Sequence, residues 1–280
     1  MLTKESILST ETTASQLQLY YLGQVGFLLR YRDTTLLIDG YLSDYVDRHC
    51  ASAEVPWRRR YPAPLAPTAL DFVDYVLCTH DHEDHTDPDT VAGILSVNDR
   101  ARFLGTPAVA EKLSSLGVPA DRITALSNDE TVSVNASVTV TNIPSAHEEL
   151  HPDENGNYRE GGFRILFGNG TDTVSVYHAG DCCPYDGLEA RVMHTDIMIL
   201  PVNGRDYYRR YEKNIIGNFD AAEAVTLADR CHADLLIPVH IDLYDVNALN
   251  PAIVVDALER INRTQKYHLF RPGERMIYCK

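Results

Sequence analysis

Seven residues, Thr79 to His85 (THDHEDH), hold three histidines and two aspartates directly after the apolar run Tyr75 to Cys78. Imidazole nitrogens and carboxylate oxygens suit zinc, manganese or iron, so the segment reads as a metal site delivered by the end of a strand. His80 and His82 are separated by one residue. On a helix that spacing would put them on opposite sides, so they converge only on an extended or looped backbone, unlike the pair in a helical H-E-x-x-H motif. A tight HxHxDH turn can aim some of its side chains at one ion and the rest at a second one close by.

Three more donors follow predicted strands elsewhere in the chain. His147 lies just past Val138 to Ile143, on the irregular stretch IPSAHEE; His151 has a similar claim, but His147 comes sooner after the strand. Asp181 stands beyond the strand Thr173 to Tyr177, where a carboxylate can bridge two cations, and His240 ends the apolar stretch ADLLIPVHID. Strand ends in layered α/β proteins gather along one edge of the sheets, so these positions are predicted to meet the histidine loop. The expected distribution gives His80, His82 and His147 to one metal and Asp84, His85 and His240 to the other. Asp181 lies between, and an open position is left for a shared water. Asp84, a carboxylate beside that water, is the expected catalytic residue, orienting the nucleophile and moving its proton. His178 reads as a core or supporting histidine, and Cys182 and Cys183 as packing.

The elements that must position these groups are legible from periodicity. LQLYYLG, GFLLRY and TTLLID, separated by Gly26 and the Arg32-Asp33 turn, predict antiparallel β structure. Asp44 to Thr68, with Pro56, Pro62, Pro64 and Pro67, predicts a long irregular loop. Its run Arg58-Arg59-Arg60 offers guanidinium groups for clamping an anionic substrate. Asp87-Pro88 predicts the start of a helix running to about Val97, followed by a strand at Arg102 to Gly105 and a helix from Pro107 to Leu116. RITAL, TVSV and SVTVTN read as short strands; Gly162 to Phe167 and Thr173 to Tyr177 read as a hairpin joined by GNGTD. Asp196 to Val202 is a buried strand that leads into NGRDYYRRYEKN, a predicted loop. Its Arg205, Tyr207 and Tyr208 are candidate substrate contacts. Asp220 caps a helix to about Cys231, and after Asn250-Pro251 a helix to about Asn262 and two short strands, YHLF and RMIY, finish the order.

Composition narrows the function classes. The 280 residues carry 40 acidic against 25 basic side chains, a net charge of -15, which argues against a nucleic-acid partner. No apolar run approaches a bilayer span, and Met1 to Ser15 is polar, so neither a membrane partner nor a signal peptide is expected and the location predicted is cytoplasmic. Six cysteines without a CxxC pattern (Cys50, Cys78, Cys182, Cys183, Cys231, Cys279) fit reduced thiols in such a compartment.

Taken together, HxHxDH followed by a later His, Asp and His at strand ends resembles the metallo-β-lactamase superfamily. Within it, LGQVGFLLR, CTHDHEDH, GVPADR, YHAGDC and LLIPVHID are similar to the L-ascorbate-6-phosphate lactonase group. The resemblance covers nearly the whole chain and implies a single α/β domain over 1–280, an αββα four-layer sandwich with a dinuclear site at one edge of its two sheets. It further implies two divalent metal ions, manganese or zinc with iron also compatible, a small anionic substrate and a homo-oligomer. The expected activity is opening of a phosphorylated sugar-acid lactone such as L-ascorbate 6-phosphate by water activated between the ions. The same site can serve a phosphodiesterase, an acyl hydrolase or a noncatalytic metal scaffold. One departure is the NGRDYYRRYEKN loop, which stands where the group carries a proline-containing segment.

Overall fold

The computed structural model describes residues 2–170 and 173–280. Strands β1 (Gln16–Gly23), β2 (Gly26–Tyr31) and β3 (Thr34–Ile38) form an antiparallel meander, and β4 (Tyr75–Cys78), β5 (Arg102–Gly105) and β6 (Ile123–Ala125) extend it in parallel from β3. A second sheet repeats this plan. β7 (Thr131–Asn135), β8 (Val138–Pro144), β9 (Gly161–Phe167) and β10 (Val174–His178) are antiparallel, and β11 (Ile197–Pro201), β12 (Leu235–Val239) and β13 (Lys266–Tyr267) follow in parallel. Strand β14 (Arg275–Cys279) returns to pair antiparallel with β1, so the sheets run 14-1-2-3-4-5-6 and 13-12-11-10-9-8-7.

Side-chain alternation decides how these sheets stack. Phe27, Leu29 and Tyr31 on one face of β2 meet Phe163, Ile165 and Phe167 of β9 in a core between the sheets. Leu28, from the other face of β2, packs with Val76 and Phe103 against helices. A strand with both faces buried reads as a continuous apolar run, which is why GFLLRY shows no polar alternation. Helix α1 (Lys4–Leu8) buries Ile7 against the outer face of the first sheet, and α2 (Tyr45–Cys50) buries Val46 in a separate cluster near the strand ends. Helices α3 (Pro88–Val97) and α4 (Pro107–Ser115) cover the first sheet; α5 (Leu188–Val192), α6 (Ala221–Arg230) and α7 (Ala252–Ile261) cover the second. The layers are helix, sheet, sheet, helix, as expected from the sequence.

The predicted caps form. The Asp87 carboxylate accepts from the Asp89 N–H with Pro88 at the first helical position, and Asp220 forms a reciprocal capping box with Glu223. Several expectations need correction. Asp44 to Thr68 is not wholly irregular, because α2 occupies its proline-free beginning; the prolines start at Pro56, after the helix has ended. Helices α1 and α5 are five residues each and bury one and two side chains, too few to leave a periodic signature. The NGRDYYRRYEKN segment contains a single π-helical turn, Tyr208–Glu212, where a loop was expected. The strand read at YHLF shrinks to Lys266–Tyr267 because Phe270 leaves the sheet edge to pack against Phe27 and Tyr21, ring centroids 5.5 and 5.8 Å away. The GNGTD turn lies partly outside the described residues. No helix among the described residues is long and apolar enough to cross a membrane.

Candidate metal centre

Five strand ends deliver the site. The loop after β4 folds back on itself: the Thr86 N–H donates to the His82 carbonyl (2.8 Å) and the Thr86 hydroxyl to the His80 carbonyl (2.7 Å). Asp39, directly after β3, anchors this loop. Its buried carboxylate accepts from the Thr79 N–H (2.8 Å), the Thr79 hydroxyl (2.7 Å) and His85 Nδ1 (2.8 Å). With Nδ1 donating to Asp39, the neutral, ligating form of His85 carries its lone pair on Nε2, toward the interior of the site. Beyond β10, Gly180 has φ of 61° and lies against Thr79, where a Cβ would meet the threonine side chain at 2.7 Å; only glycine lets Asp181 come this close. His240 after β12 is itself left-handed, φ 64°, a backbone strain held by the His240 N–H bond to the Gln24 carbonyl (2.8 Å).

All seven donors predicted from the sequence converge. Ligand atoms of His80, His82 and His147 lie within 4.8 Å of one another, as do those of Asp84, His85 and His240, and those of His80, His85 and Asp181. Asp181 faces both groups: Oδ1 is 3.3 Å from His240 Nε2 and 3.5 Å from His85 Nε2, while Oδ2 is 3.8 Å from His147 Nε2. His80 Nε2 and His82 Nδ1 point at each other across 3.0 Å. Donors on one tetrahedral zinc, with bonds of about 2.0–2.1 Å, would stand about 3.3 Å apart, so the pair is spaced as ligands of a common ion. His85 Nε2 and Asp181 Oδ1 are buried without a hydrogen-bond partner, although buried polar atoms are rarely left orphaned. These residues therefore fit divalent cations.

Electrostatics follows from that crowding. Burial, then the neighbouring histidines His85 and His82, holds His80 well below the usual imidazole range, and burial brings His147 down to about 4. Both are neutral imidazoles at neutral pH, the form that ligates. Burial also disfavours charge on His85 and His240, but the Asp181 carboxylate outweighs it and raises both. Asp181 is held well below the usual carboxylate range by His240 and His85 against the cost of burial.

Two residues beyond the predicted set belong here. Asp39 was legible as a polar residue ending the apolar run TTLLID, the same signal that exposed the other donors. Gln24, at φ 60° in the turn between β1 and β2, points its side-chain amide into the cluster, 3.0 Å from Asp84 Oδ2 and 3.1 Å from His240 Nε2. Nothing in LGQVG announces that role. His178 keeps to the core, bonded through Nε2 to the Val25 carbonyl (2.8 Å), and His151 pairs with Glu160 (3.0 Å) away from the cluster.

Five of the donors, His82, Asp84, His147, Asp181 and His240, floor a cavity of about 300 Å³ walled by Val46, Trp57, Ile215, Ile216 and Tyr244, while His80 and His85 are buried. None of the six predicted substrate contacts lines it. Arg58 projects outward, and Arg60 pairs with exposed Asp245 (3.2 Å). Arg59 turns back over the Tyr41 ring and donates to the Tyr41 and Ser43 carbonyls (3.0 Å each). Arg205 is committed to Glu223 through two 2.7 Å bonds, while Tyr207 and Tyr208 are 71% and 52% exposed on the outside of the π-helical turn.

A four-layer αββα sandwich with a histidine and aspartate donor cluster where its two sheets meet defines a metal-binding class of α/β protein. A family model for the beta-lactamase superfamily domain matches residues 34–241, and the chain belongs to that superfamily. It is 42% identical over 119 residues to an uncharacterised protein of Mycobacterium tuberculosis, a match covering 41% of this chain and 32% of that protein's length. Over 94% of this chain it is 24% identical to a metal-dependent hydrolase of Archaeoglobus fulgidus, which it covers completely (100%). Among solved structures, a metallo hydrolase of Ignicoccus hospitalis shares the fold at 18% identity and a TM-score of 0.67, over 94% of this chain and 98% of that one.

Proposed function

We propose that the chain is a metal-dependent hydrolase that opens a lactone or comparable carboxylic ester. The observation supporting it is the convergence of seven donors, four of them with an orphaned buried atom and five of them lining an open cavity of about 300 Å³. His80, His82 and His147 would hold one divalent ion and Asp84, His85 and His240 another, with Asp181 between them. Such ions, when bound, acidify a water and polarise a carbonyl oxygen. Asp84 lines the cavity and its Oδ2 is held by the Gln24 amide; in this reading its carboxylate takes the proton of an attacking water and returns it to the leaving alcohol. Trp57, Ile215, Ile216 and Tyr244 would present apolar surface beside the reacting bond. The phosphorylated sugar acid implied by sequence resemblance has less support than the bond type, because the arginines read as its clamp are engaged or directed elsewhere.

The test is turnover of a panel of lactones, carboxylic esters and a chromogenic phosphodiester by protein stripped of metal and reloaded with manganese or zinc. Metal-dependent lactone or ester opening supports the reading. Turnover of the diester alone replaces it with a phosphodiesterase, and stoichiometric metal binding without turnover leaves a scaffold.

A further inference from the structure

We infer that the substrate's part remote from the reacting bond is uncharged and apolar, and that it seats on an aromatic wall built around Trp57. The inference rests on the hydrolase reading and specifies the substrate of that same site. Beyond the donors, the cavity is lined by Val46, Trp57, Ile215, Ile216 and Tyr244, with Asn214 and Asn247 as neutral polar groups and Cys50 and the acidic Glu83 at the same wall. Trp57 meets Tyr244 edge-on, 5.1 Å between centroids, within a cluster that includes Tyr41, Val46 and Leu243. This cluster is separate from the cores that hold the sheets and helices together, and it ends at the cavity with Trp57 only half-buried. Aromatic faces in a concave site supply apolar contact area to a ligand.

Charge on the wall is of one sign. Besides the donors, Cys50 and Tyr244, the one ionisable lining group is Glu83, and among the described residues no lysine or arginine lines the cavity. Arg58 projects outward, Lys213 lies over the Tyr208 ring at 5.4 Å, and four further cations are already committed. Arg59 is held by backbone carbonyls behind Tyr41, and Arg210 pairs with Glu148 at 3.0 Å. Arg209 is fixed by Asp206 and the Asn203 carbonyl, and Lys112 is 3.5 Å from Glu83. An anionic group carried away from the metal floor would lose its hydration against indole and isoleucine without gaining a cation. An alkyl or aryl group there loses nothing. Hydrolysis then adds water across the acyl C–O bond, placing the new carboxylate at the floor and leaving the apolar portion on the wall.

Trp57 is the chain's single tryptophan, so its emission reports occupancy of this wall directly. The probes are two hydrolytically inert δ-valerolactams, one bearing a butyl chain and one bearing the same chain ended in a sulfonate, titrated into metal-loaded protein. Saturable change in Trp57 emission is expected at a concentration at least tenfold lower for the butyl lactam. Equal affinities, or tighter binding of the sulfonate, overturn the inference. The corresponding lactones are assayed beside them. Turnover of neither, with the lactam order intact, counts against lactone opening and leaves the apolar wall standing. Turnover favouring the sulfonate-bearing lactone keeps the hydrolase and overturns the substrate class.

Discussion

Replacing Asp39 with asparagine should weaken metal binding without unfolding the chain. Asp39 Oδ2 accepts from both the Thr79 hydroxyl (2.7 Å) and His85 Nδ1 (2.8 Å), while Oδ1 accepts from the Thr79 N–H (2.8 Å). An asparagine must put an N–H₂ where one of these oxygens stood. If its oxygen stays on the Thr79 N–H, its nitrogen faces His85 Nδ1, which can accept only by moving its proton to Nε2, the atom 3.5 Å from Asp181. If the amide flips, two donors collide at the Thr79 backbone in a fully buried place. A charge-assisted bond of about 1.5–3 kcal/mol is lost either way. At about 1.4 kcal/mol per decade, that is roughly a 10- to 100-fold loss of metal affinity, the range typical of partners that orient a ligating histidine. Chelator-competition titrations with manganese and zinc, run beside a thermal melt of the metal-free protein, measure it. Affinity within twofold of the parent, with folding intact, would refute the claim that Asp39 sets the His85 tautomer.

Gln24→Leu removes the amide that holds Asp84 and should lower kcat about tenfold with little change in KM, checked by steady-state kinetics on whichever ester the protein turns over. Gly180→Ala forces a Cβ to 2.7 Å from Thr79 at a left-handed φ; a loss of about 1–3 kcal/mol in denaturant unfolding is expected, and an unchanged midpoint would contradict the packing. Chelation should lower the Tm, since ions bound at about 1,000 times Kd add roughly 4 kcal/mol to the native state. The Glu223 carboxyl is held below its ordinary value, burial opposing but the Arg205 bonds and the Asp220 N–H prevailing. A depressed carboxyl contributes stability above its unfolded pKa of about 4.3 and loses it as pH falls through the folded value. The Tm deficit of Glu223→Gln should therefore be present at pH 7 and shrink as pH falls below that unfolded value; a pH-independent deficit would count against the ion pair.

The convergence of the seven candidate donors was legible because HxHxDH compresses potential ligands into one turn and because His147, Asp181 and His240 each follow an apolar strand. Asp39 obeys the same rule but stands out less, because carboxylates at strand ends are common. Gln24 is different. Its role depends on a left-handed turn that turns an amide toward Asp84, and no residue pattern encodes that direction. The arginine readings failed for a related reason: a charge run gives composition but not orientation. Arg59 curls back onto Tyr41 and Arg205 closes on Glu223, while the neighbouring Trp57 reaches the cavity. The layers were readable because both-face burial leaves continuous apolar strands. The five- and six-residue helices were not, since each fixes only one or two side chains in the core.

The floor of the cavity and much of its wall belong to different kinds of chain. Every donor hangs from a strand end, but Trp57 comes from the segment after α2, and Ile215 and Ile216 from the stretch between β11 and α6. Neither segment carries a rung of either sheet. Selection can therefore rewrite the two wall segments, lengthening or recharging them, while the ion cradle and the sandwich stay as they are. A laboratory can do the same: exchanging residues 51–61 or 205–217 amounts to changing the lock's wards while leaving its bolt in place.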